Sequence, residues 1–565
     1  MTYFVFIYLI AFLPFVSLLS QEISLSNNPS VNHILYLCHT GNVASALTAY
    51  ENYRKASKEH HFELIEEICL VLLDQGFRQK DPDVQLMTLF GAGISGNERT
   101  LYIIEANIQQ SADPKLQLIA LNFLSRYHHD RIDLALKHVL SSNFLLARLE
   151  AVFQLAKNKS PKAVGLTESL MAKVPEVIWP IFPPLFAMSG TPDAKKVLRK
   201  LLTHPNEEIR VATINSIAEY DHEDFLPCIR RLALQAGLLS QESCAAALGK
   251  FRDETSRSKL KILAACGQPH IRLAALYSLY QLGDEEAEKE IERMAEGRDL
   301  FAIYLLGEIK GSKALLRELL KSKTYSVSAN AAYALLKLGD PCCLPALVPI
   351  LVQDTRDLGV NKTTSSSGTL SALQIIPSAR QHFEEDPVLE EMSLHLREEM
   401  VFKSVELKEN EFLALADMIL DHNQNDLIPV LMEVMENHAT PATIALLKKY
   451  QQKLGAPLVR NYCNLALYRL KEPGPYGDNI REWIKKQCNV DLIQFRPMIP
   501  WDVRERSEVD FELTASETSR LLIEAFEACV FTQDDKGIDL LISVIQNGDS
   551  KNKYALIGLL MRAIQ

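Results

Sequence analysis

Several kinds of functional site are missing from this 565-residue sequence, and the first is an excess of positive charge. The chain has 71 Asp and Glu against 60 Lys and Arg, a formal net charge of −11. A protein that binds nucleic acid without sequence preference needs a basic excess, because it must neutralise backbone phosphates. The composition therefore argues against that class and predicts no nucleic-acid partner, while a local basic patch remains compatible with it.

Metal-site and catalytic motifs are also missing. The ten cysteines form no C-x-x-C pair and have no Cys/His spacing of the zinc-binding kind. The phosphate-binding pattern GxxxxGK[ST], the nucleophile pattern GxSxG and the zinc-protease pattern HExxH do not occur. The histidine pairs His60-His61 and His128-His129 lack further ligands at a helical spacing and are predicted to be surface histidines. We therefore predict no catalytic, cofactor-binding or metal-binding residue.

The N-terminus begins with an almost continuously apolar run from Tyr3 to Leu19, followed by Ser20. As a helix, this run rises roughly 25 Å, which is short of a bilayer core of about 30 Å. The first basic residue is Arg54, so no stop-transfer charges follow. Residues 1–20 are predicted to be a cleaved signal peptide, which implies export to a periplasm, cell envelope or the medium. A retained membrane anchor and a buried helix are the alternatives.

An apolar stripe recurs about every 31 residues between residues 84 and 279. Positions five and eight residues after each start are also mostly apolar, and these offsets lie on one face of an α-helix. Such a period predicts a repeat protein whose neighbouring units stack. The stripes start at Val84, Leu116, Ala147, Ile178, Ile209, Ser240 and Ile271.

A recurring turn divides each unit into two helices. The sequence Leu282-Gly283-Asp284 returns as Leu338-Gly339-Asp340. Glycine can adopt the left-handed conformation that ends a helix, and aspartate can cap the next one. We therefore predict an all-α fold, an α-solenoid of antiparallel helix pairs, with its main array at residues 81–354.

Three segments carry a family resemblance: EIRVATINSIAEY, HIRLAALYSLYQLGD and PLVRNYCNLALYRLKEP. Each places an apolar residue before arginine, at Ile209-Arg210, Ile271-Arg272 and Val459-Arg460. They resemble the first helix of HEAT repeats of the short bacterial kind, which includes the HEAT-like repeats of phycobilisome lyases. The resemblance implies an armadillo-like helical solenoid and is nearly silent on activity. In the unit around Ile178, the prolines of WPIFPPLF predict a broken first helix.

The remaining chain is predicted to flank this array. Residues 21–80 indicate capping helices, and the Ser/Thr-rich NKTTSSSGT indicates a flexible linker at 355–387. Residues 388–565 are predicted to form a second helical-repeat region. It contains an irregular insertion at 471–515, where the helical period is lost and prolines are frequent.

Two sets of basic residues are candidates for structural or binding roles. Arg148, Arg210 and Arg272 recur every 62 residues, and Arg460 occupies the matching position later. A charge locked to the repeat is expected to serve the interface between units, so these four are predicted to be structural clamps. A binding ladder is the alternative.

The second set lies on the second helices of the units and predicts a basic band. A band of this sign in an acidic protein favours a partner with an acidic segment, whereas ordinary solvated helix faces are the alternative. Its members are Lys195, Lys196, Arg199, Lys200, Arg230, Arg231, Arg257, Lys259, Lys261, Lys313, Arg317, Lys321 and Lys323.

The sequence as a whole favours a non-catalytic exported scaffold that binds a protein partner through its helical-repeat surface. No cofactor is expected. The alternatives are an enzyme or cofactor-handling protein of the bilin-lyase-like HEAT class, and a membrane-anchored adaptor that retains residues 3–19.

Overall fold

Helices dominate the computed structural model, and the predicted fold class, an α-solenoid of antiparallel helix pairs, is confirmed. The structure describes residues 28–110, 114–124, 136–352, 358–377, 382, 386–490, 494–496, 512–514, 517–531 and 535–565.

The helices are numbered here in chain order. The first fifteen are α1 Pro29–His39, α2 Val43–Ser57, α3 Phe62–Phe77, α4 Pro82–Ser95, α5 Leu101–Gln110, α6 Pro114–Leu124, α7 Leu145–Lys157, α8 Ala163–Met171, α9 Pro183–Ser189, α10 Pro192–Leu201, α11 Glu207–Glu219, α12 Leu226–Gln235, α13 Leu238–Lys250, α14 Arg257–Ala264 and α15 Pro269–Gln281. The others are α16 Glu285–Glu296, α17 Leu300–Leu305, α18 Lys313–Leu319, α19 Tyr325–Lys337, α20 Leu344–Leu351, α21 Pro387–Lys403, α22 Glu409–Asp421, α23 Ile428–Asn437, α24 Pro441–Gln451, α25 Pro457–Arg469, α26 Tyr476–Gln487, α27 Glu517–Phe531, α28 Asp535–Asn547 and α29 Asn552–Ile564.

Four strands are also present in the described part of the chain. They are β1 Leu358–Thr364, β2 Ser371–Pro377, β3 Gln494–Arg496 and β4 Glu512–Thr514. β1 pairs with β2, and β3 with β4, both in antiparallel orientation. The chain divides into two compact units, one from Met1–Ile103 with Gln533–Gln565 and the other from Ile104–Thr532.

The first unit joins the two ends of the chain, which the sequence did not predict. Helix α29 packs against α3 and α4. A Cβ atom added to Gly558 would lie 2.3 Å from the carbonyl oxygen of Gly91, and one added to Gly91 would lie 2.0 Å from that of Tyr554. The helix backbones are therefore in direct contact.

Gly91, Gly93 and Gly96 also match the spacing GxGxxG of dinucleotide-binding sites. They lie in α4 and its C-cap, whereas a dinucleotide site requires a strand-to-helix turn.

A polar network connects the same chain ends. The Arg54 guanidinium donates to Asp535 at 3.0 Å and, through Nε, to His60 Nε2 at 3.2 Å. The Tyr50 hydroxyl lies 3.0 Å from His60 Nδ1, and the His60 side chain is buried. Burial, reinforced by Arg54, lowers the pKa of His60. The expectation of a surface histidine is wrong for His60, because the helices from the far end of the chain help to cover it; His128 and His129 lie outside the described residues.

The second unit is an array of paired helices. The first helices α7, α9, α11, α13, α15, α17, α19, α21, α23, α25 and α27 alternate with the second helices α8, α10, α12, α14, α16, α18, α20, α22, α24 and α26. The predicted stripe lies in the core, since Ile209, Ile214 and Ile217 are fully buried. As predicted, the prolines break one first helix into a 3-10 turn at Glu176–Ile181 and the short α9.

The predicted turn chemistry is also present. Gly283 and Gly339 have φ angles of +80° and +65°, which are left-handed. Asp284 accepts a hydrogen bond from the backbone N–H of Glu286 at the start of α16. Each turn therefore ends one helix and begins the next.

Two predictions about the irregular segments need correction. Residues 358–377, expected within a flexible linker at 355–387, form the β1–β2 hairpin, whose register runs from Leu358↔Pro377 to Thr364↔Ser371. The insertion expected at 471–515 contains α26, which buries Ile480 and Ile484 one helical turn apart. The same stretch also contains the paired strands β3 and β4.

The predicted signal peptide, residues 1–20, lies outside the described residues. Within the described part of the chain, no helix has the length and apolarity needed to cross a bilayer.

Candidate functional site

The β1–β2 hairpin lies along the first helices of the second unit. β2 packs against α17 and α19, and β1 packs against α21. Val360, Ala372 and Leu373 are fully buried in this contact. A two-stranded sheet is at best marginally stable alone, so the helices stabilise the hairpin. The face of the array formed by the first helices therefore binds an extended segment of the chain, the β1–β2 hairpin.

Asn330 of α19 binds the backbone of the hairpin through both ends of its amide. Its Nδ2 donates to the Leu373 carbonyl oxygen, and its Oδ1 accepts from the Leu373 N–H, each at 2.7 Å. These are the two bonds that a neighbouring β-strand makes at such a position. On the other edge, Ser393 of α21 accepts from the Val360 N–H at 3.2 Å. Helix side chains therefore take the place of flanking strands at both edges.

The tip of the hairpin reaches back to α11 and α13. The Glu242 carboxylate accepts from the hydroxyls of Ser365 at 2.5 Å and Thr369 at 2.8 Å. Asn215 donates its amide N–H to the Ser367 carbonyl oxygen at 2.8 Å. Glu242 is only 2% exposed, so this carboxylate depends on hydroxyl donors rather than on water.

An aromatic cluster lies near the start of the hairpin. Tyr304 and Tyr333 stack with ring centroids 5.3 Å apart, and the Lys362 ammonium of β1 lies 5.8 Å from the Tyr304 ring. The Tyr333 hydroxyl donates to Glu399 of α21. Burial raises the pKa of Tyr333, and the bond to Glu399 raises it further, so the hydroxyl stays protonated as a donor. We call Asn215, Glu242, Tyr304, Asn330 and Glu399 the hairpin groove.

The predicted basic band is largely engaged in contacts between units. Arg230 of α12 binds Asp253 in the next unit's turn through two bonds of 2.7 Å, and Arg317 of α18 binds Asp340 at 2.6 and 3.0 Å. Five further members make the same connection, from a second helix to the next unit's turn. They are Lys195, Arg199, Arg257, Lys261 and Lys313.

The other members of the band differ in their contacts. Lys196 pairs with Asp193 of its own helix, and Lys259 donates to the Arg230 carbonyl oxygen. Four are exposed and make no ion pair within the described part of the chain; these are Lys200, Arg231, Lys321 and Lys323. The structure does not test whether the band binds a partner, so that role stays a prediction.

Two of the turn carboxylates, Asp253 and Asp340, are held ionised. Burial acts to raise the pKa of Asp253, but hydrogen bonds from Arg230, Ser256 and Thr255 outweigh it and hold the pKa well below its usual range. Burial and hydrogen bonding oppose each other in the same way at Asp340, where Arg317 lowers the pKa. These two connections between successive units are therefore charged at neutral pH.

The four predicted clamps are placed differently from one another. Arg210 donates to the carbonyl oxygens of His204 and Pro205, in the turn before its own helix. Arg272 pairs with Glu290 of α16, the second helix of its own unit. Among the described residues, Arg148 and Arg460 make no side-chain hydrogen bond or ion pair, and Arg148 Nε is buried. The clamp role stays a prediction for all four.

Sequence reasoning missed Arg397, which is almost fully buried on α21. It donates to the carbonyl oxygens of Ile350 at 3.1 Å and Leu351 at 3.0 Å, and it also binds Asp426. It thereby satisfies the last carbonyls of α20, which no residue of that helix can reach. Asn330 and Glu242 were missed as well, because single polar residues within a helical stripe carry no signal until their partner is known.

Metal binding finds no support in the described residues, where no three His, Cys, Asp or Glu side chains converge. The carboxylates Glu436 and Glu524 both lie beside Arg469, at 3.3 and 3.4 Å from Nη1. Burial raises the pKa of both, although Arg469 opposes the shift. They form a paired structural contact between α23, α25 and α27.

Comparison with known proteins gives distant structural likenesses only. No family model and no curated protein matches the chain. Kap121p aligns with 93% of this chain and 62% of its own, at 13% identity and a TM-score of 0.35. The UNC-45 chaperone, described as binding and folding muscle myosin, covers 95% of this chain and 64% of its own at 13% identity and a TM-score of 0.19.

A third structure is similar over a smaller part of the chain. Human deoxyhypusine hydroxylase aligns with 44% of this chain and 88% of its own, at 15% identity and a TM-score of 0.21. At these values none of the likenesses supports an inference about function. The narrower resemblance to short bacterial HEAT-like repeats stays a prediction.

Proposed function

We propose that this protein is a non-catalytic, exported scaffold that binds a protein partner, and that the hairpin groove is its principal binding surface. The observation that carries the proposal is the double hydrogen bond between Asn330 and the backbone of Leu373. A side-chain amide bonded to both backbone groups of one residue recognises an extended chain whatever its side chains are. The surface is thus suited to a segment of another protein.

The other parts of the proposal rest on the sequence. The apolar run from Tyr3 to Leu19 supports export. The lack of nucleophile, phosphate-binding and metal-binding patterns supports a binding role over a catalytic one. The repeat architecture supports it too, because stacked units offer a long continuous surface.

A second contact surface is proposed on the second helices. Lys200, Arg231, Lys321 and Lys323 are exposed and unpaired within the described part of the chain. Their shared sign favours an acidic segment of the partner and faster association at low salt. Each exposed pair contributes only about 0–1 kcal/mol, so this surface orients a partner rather than holding it alone.

Site-specific photo-crosslinking in the native cell tests the function. The crosslinker is placed at Glu219, an exposed residue one helical turn after Asn215 on α11, and in a second variant at Lys200. Leu454, which is 86% exposed between α24 and α25, provides the control position. We expect a stoichiometric protein to be captured at Glu219 and not at Leu454. Recovery of a chromophoric small molecule, or equal capture at all positions, contradicts the proposal.

A further inference from the structure

We propose that the β1–β2 hairpin occupies the hairpin groove as an intramolecular mimic of a partner segment. In this proposal, an extended segment of another protein that lacks acidic residues binds the hairpin groove, and the hairpin leaves when that segment enters. The inference rests on the proposed function and goes further, because it names the chemistry of the bound segment and the step that admits it.

The hairpin is an addition to the helical stack rather than a part of its repeat. It is inserted between α20 and α21, yet its tip contacts α11 and α13, four first helices or more away along the array. In a repeat array each unit contacts mainly its neighbours, so this long-range contact is foreign to the solenoid. We therefore expect the helix pairs to stay stacked when the hairpin leaves.

The groove needs an occupant. Asn330 is fully buried and Glu242 is 2% exposed, and the Glu242 carboxylate accepts hydrogen bonds from Ser365 and Thr369 of the hairpin. The Asn330 Nδ2 also donates to Ser326 of its own helix, but a segment that covers the Asn330 Oδ1 and the Glu242 carboxylate without hydrogen bonding to them leaves buried acceptors unsatisfied, which is strongly unfavourable. The hairpin is therefore displaced readily only by a segment that renews these bonds.

The groove defines the chemistry of that segment. An extended backbone is required opposite Asn330, with a small or aliphatic side chain at the place of Leu373. Serine or threonine is required opposite Glu242, where the hairpin presents Ser365 and Thr369. A carboxylate at that point is repelled by Glu242, so the acidic segment proposed for the second helices does not fit here.

The test uses the full chain and a labelled synthetic peptide with the sequence of residues 358–377. In one variant those residues are replaced by a Gly/Ser linker of equal length. In a second, milder variant, Ser365→Ala with Thr369→Val removes the hydroxyls that hold the tip while every helix is kept. Circular dichroism and thermal melting establish that each variant is folded, and fluorescence anisotropy measures peptide binding.

We expect the wild-type chain to bind the peptide weakly, because its groove is occupied. The linker variant should bind it at least about tenfold more tightly, since the loss of competing hydrogen bonds of this kind changes affinity by that order. The milder variant should lie between the two. A control peptide with Leu373→Pro lacks the N–H that Asn330 accepts and should bind the linker variant at least about tenfold more weakly.

Two results overturn the proposal. The first is a folded variant, of either kind, that binds the peptide no better than the wild type or binds the control peptide equally well. The second is concentration-dependent dimerisation of the wild type that the linker variant lacks, which identifies the occupant as the hairpin of a second copy. Either result leaves the crosslinking test of the proposed function unaffected, so the two failures are distinguishable.

Discussion

The two faces of the second unit use polar residues for different purposes. On the second helices, basic residues such as Arg230 and Arg317 bind carboxylates in the turn of the next unit. On the first helices, Asn330 and Glu242 bind a segment from outside the repeat. The first arrangement fixes each unit to its neighbour, whereas the second holds an extended chain.

This difference shows that conspicuous charge on a helical array can serve contacts within the array itself. Most of the basic residues on the second helices are engaged with the protein itself. The groove on the other face contains one buried carboxylate and two amides, and its charge pattern is unremarkable in the sequence. Substitutions on each face, and at the chain ends, test this comparison.

The largest expected effect comes from Arg397→Ala. The substitution leaves two α20 carbonyls and Asp426 without their buried donor, so it should lower the free energy of unfolding by about 3 kcal/mol. Chemical denaturation of the full chain measures this loss. Arg231→Ala, at an exposed arginine with no ion pair in the described structure, is the matched control and should change little. Equal effects at the two positions would show that burial of Arg397 does not matter.

The next effect concerns the close backbone contact between α29 and α4, at the joined chain ends. Gly558→Ala places a Cβ atom against the Gly91 backbone and should cost about 2 kcal/mol. Gly165→Ala on α8 is the matched control, because nothing lies within 4 Å of its added Cβ. That change should be neutral or stabilising by up to about 1 kcal/mol, since alanine favours helices. Thermal melting distinguishes the two, and a stable Gly558→Ala protein contradicts the close helix contact.

A smaller effect is expected for Asp253→Asn, which removes the charge from one connection between units. At neutral pH it should cost about 1 kcal/mol. Because folding lowers the pKa of Asp253, its contribution is present above the unfolded pKa of about 3.9 and is lost as the pH falls toward the folded pKa. The difference between variant and wild type should therefore shrink below about pH 4. A difference that is constant with pH would mean that the carboxylate charge contributes nothing.

The smallest effect on stability is expected for the exposed basic residues. Changing Lys200, Arg231, Lys321 and Lys323 to glutamate should alter the free energy of unfolding by no more than about 0.5 kcal/mol. An acidic partner should bind more weakly and associate more slowly, and its affinity should depend less on salt concentration. Surface plasmon resonance with the captured partner at two salt concentrations measures this. Unchanged association kinetics would show that these four residues are only solvated surface and do not contact the partner.

The repeat architecture could be predicted because it follows from local rules. The stripe from Ile209 to Ile217, the left-handed Gly283 and the capping Asp284 all depend on neighbouring residues only, and all three are present. The broken helix after Glu176 follows from proline in the same way.

The hairpin groove and the joined chain ends could not be predicted in this manner. The Ser/Thr-rich segment around Ser365 has the composition of a flexible loop, and it is ordered by Glu242, more than a hundred residues earlier. Likewise, Gly91 gains its role from Gly558, at the opposite end of the chain. In each case the deciding contact is distant in the sequence, and one sequence alone contains no record of such a pairing.

Hydrogen exchange followed by mass spectrometry tests the central claim most directly. The comparison is between the wild-type chain and a variant with Glu242→Gln and Asn330→Ala. We predict that amides of residues 358–377 lose protection in the variant while the turn around Asp253 and the helices on either side keep theirs. A hairpin that remains equally protected, or an array that loses protection throughout, would contradict a groove that holds an extended segment through these side chains.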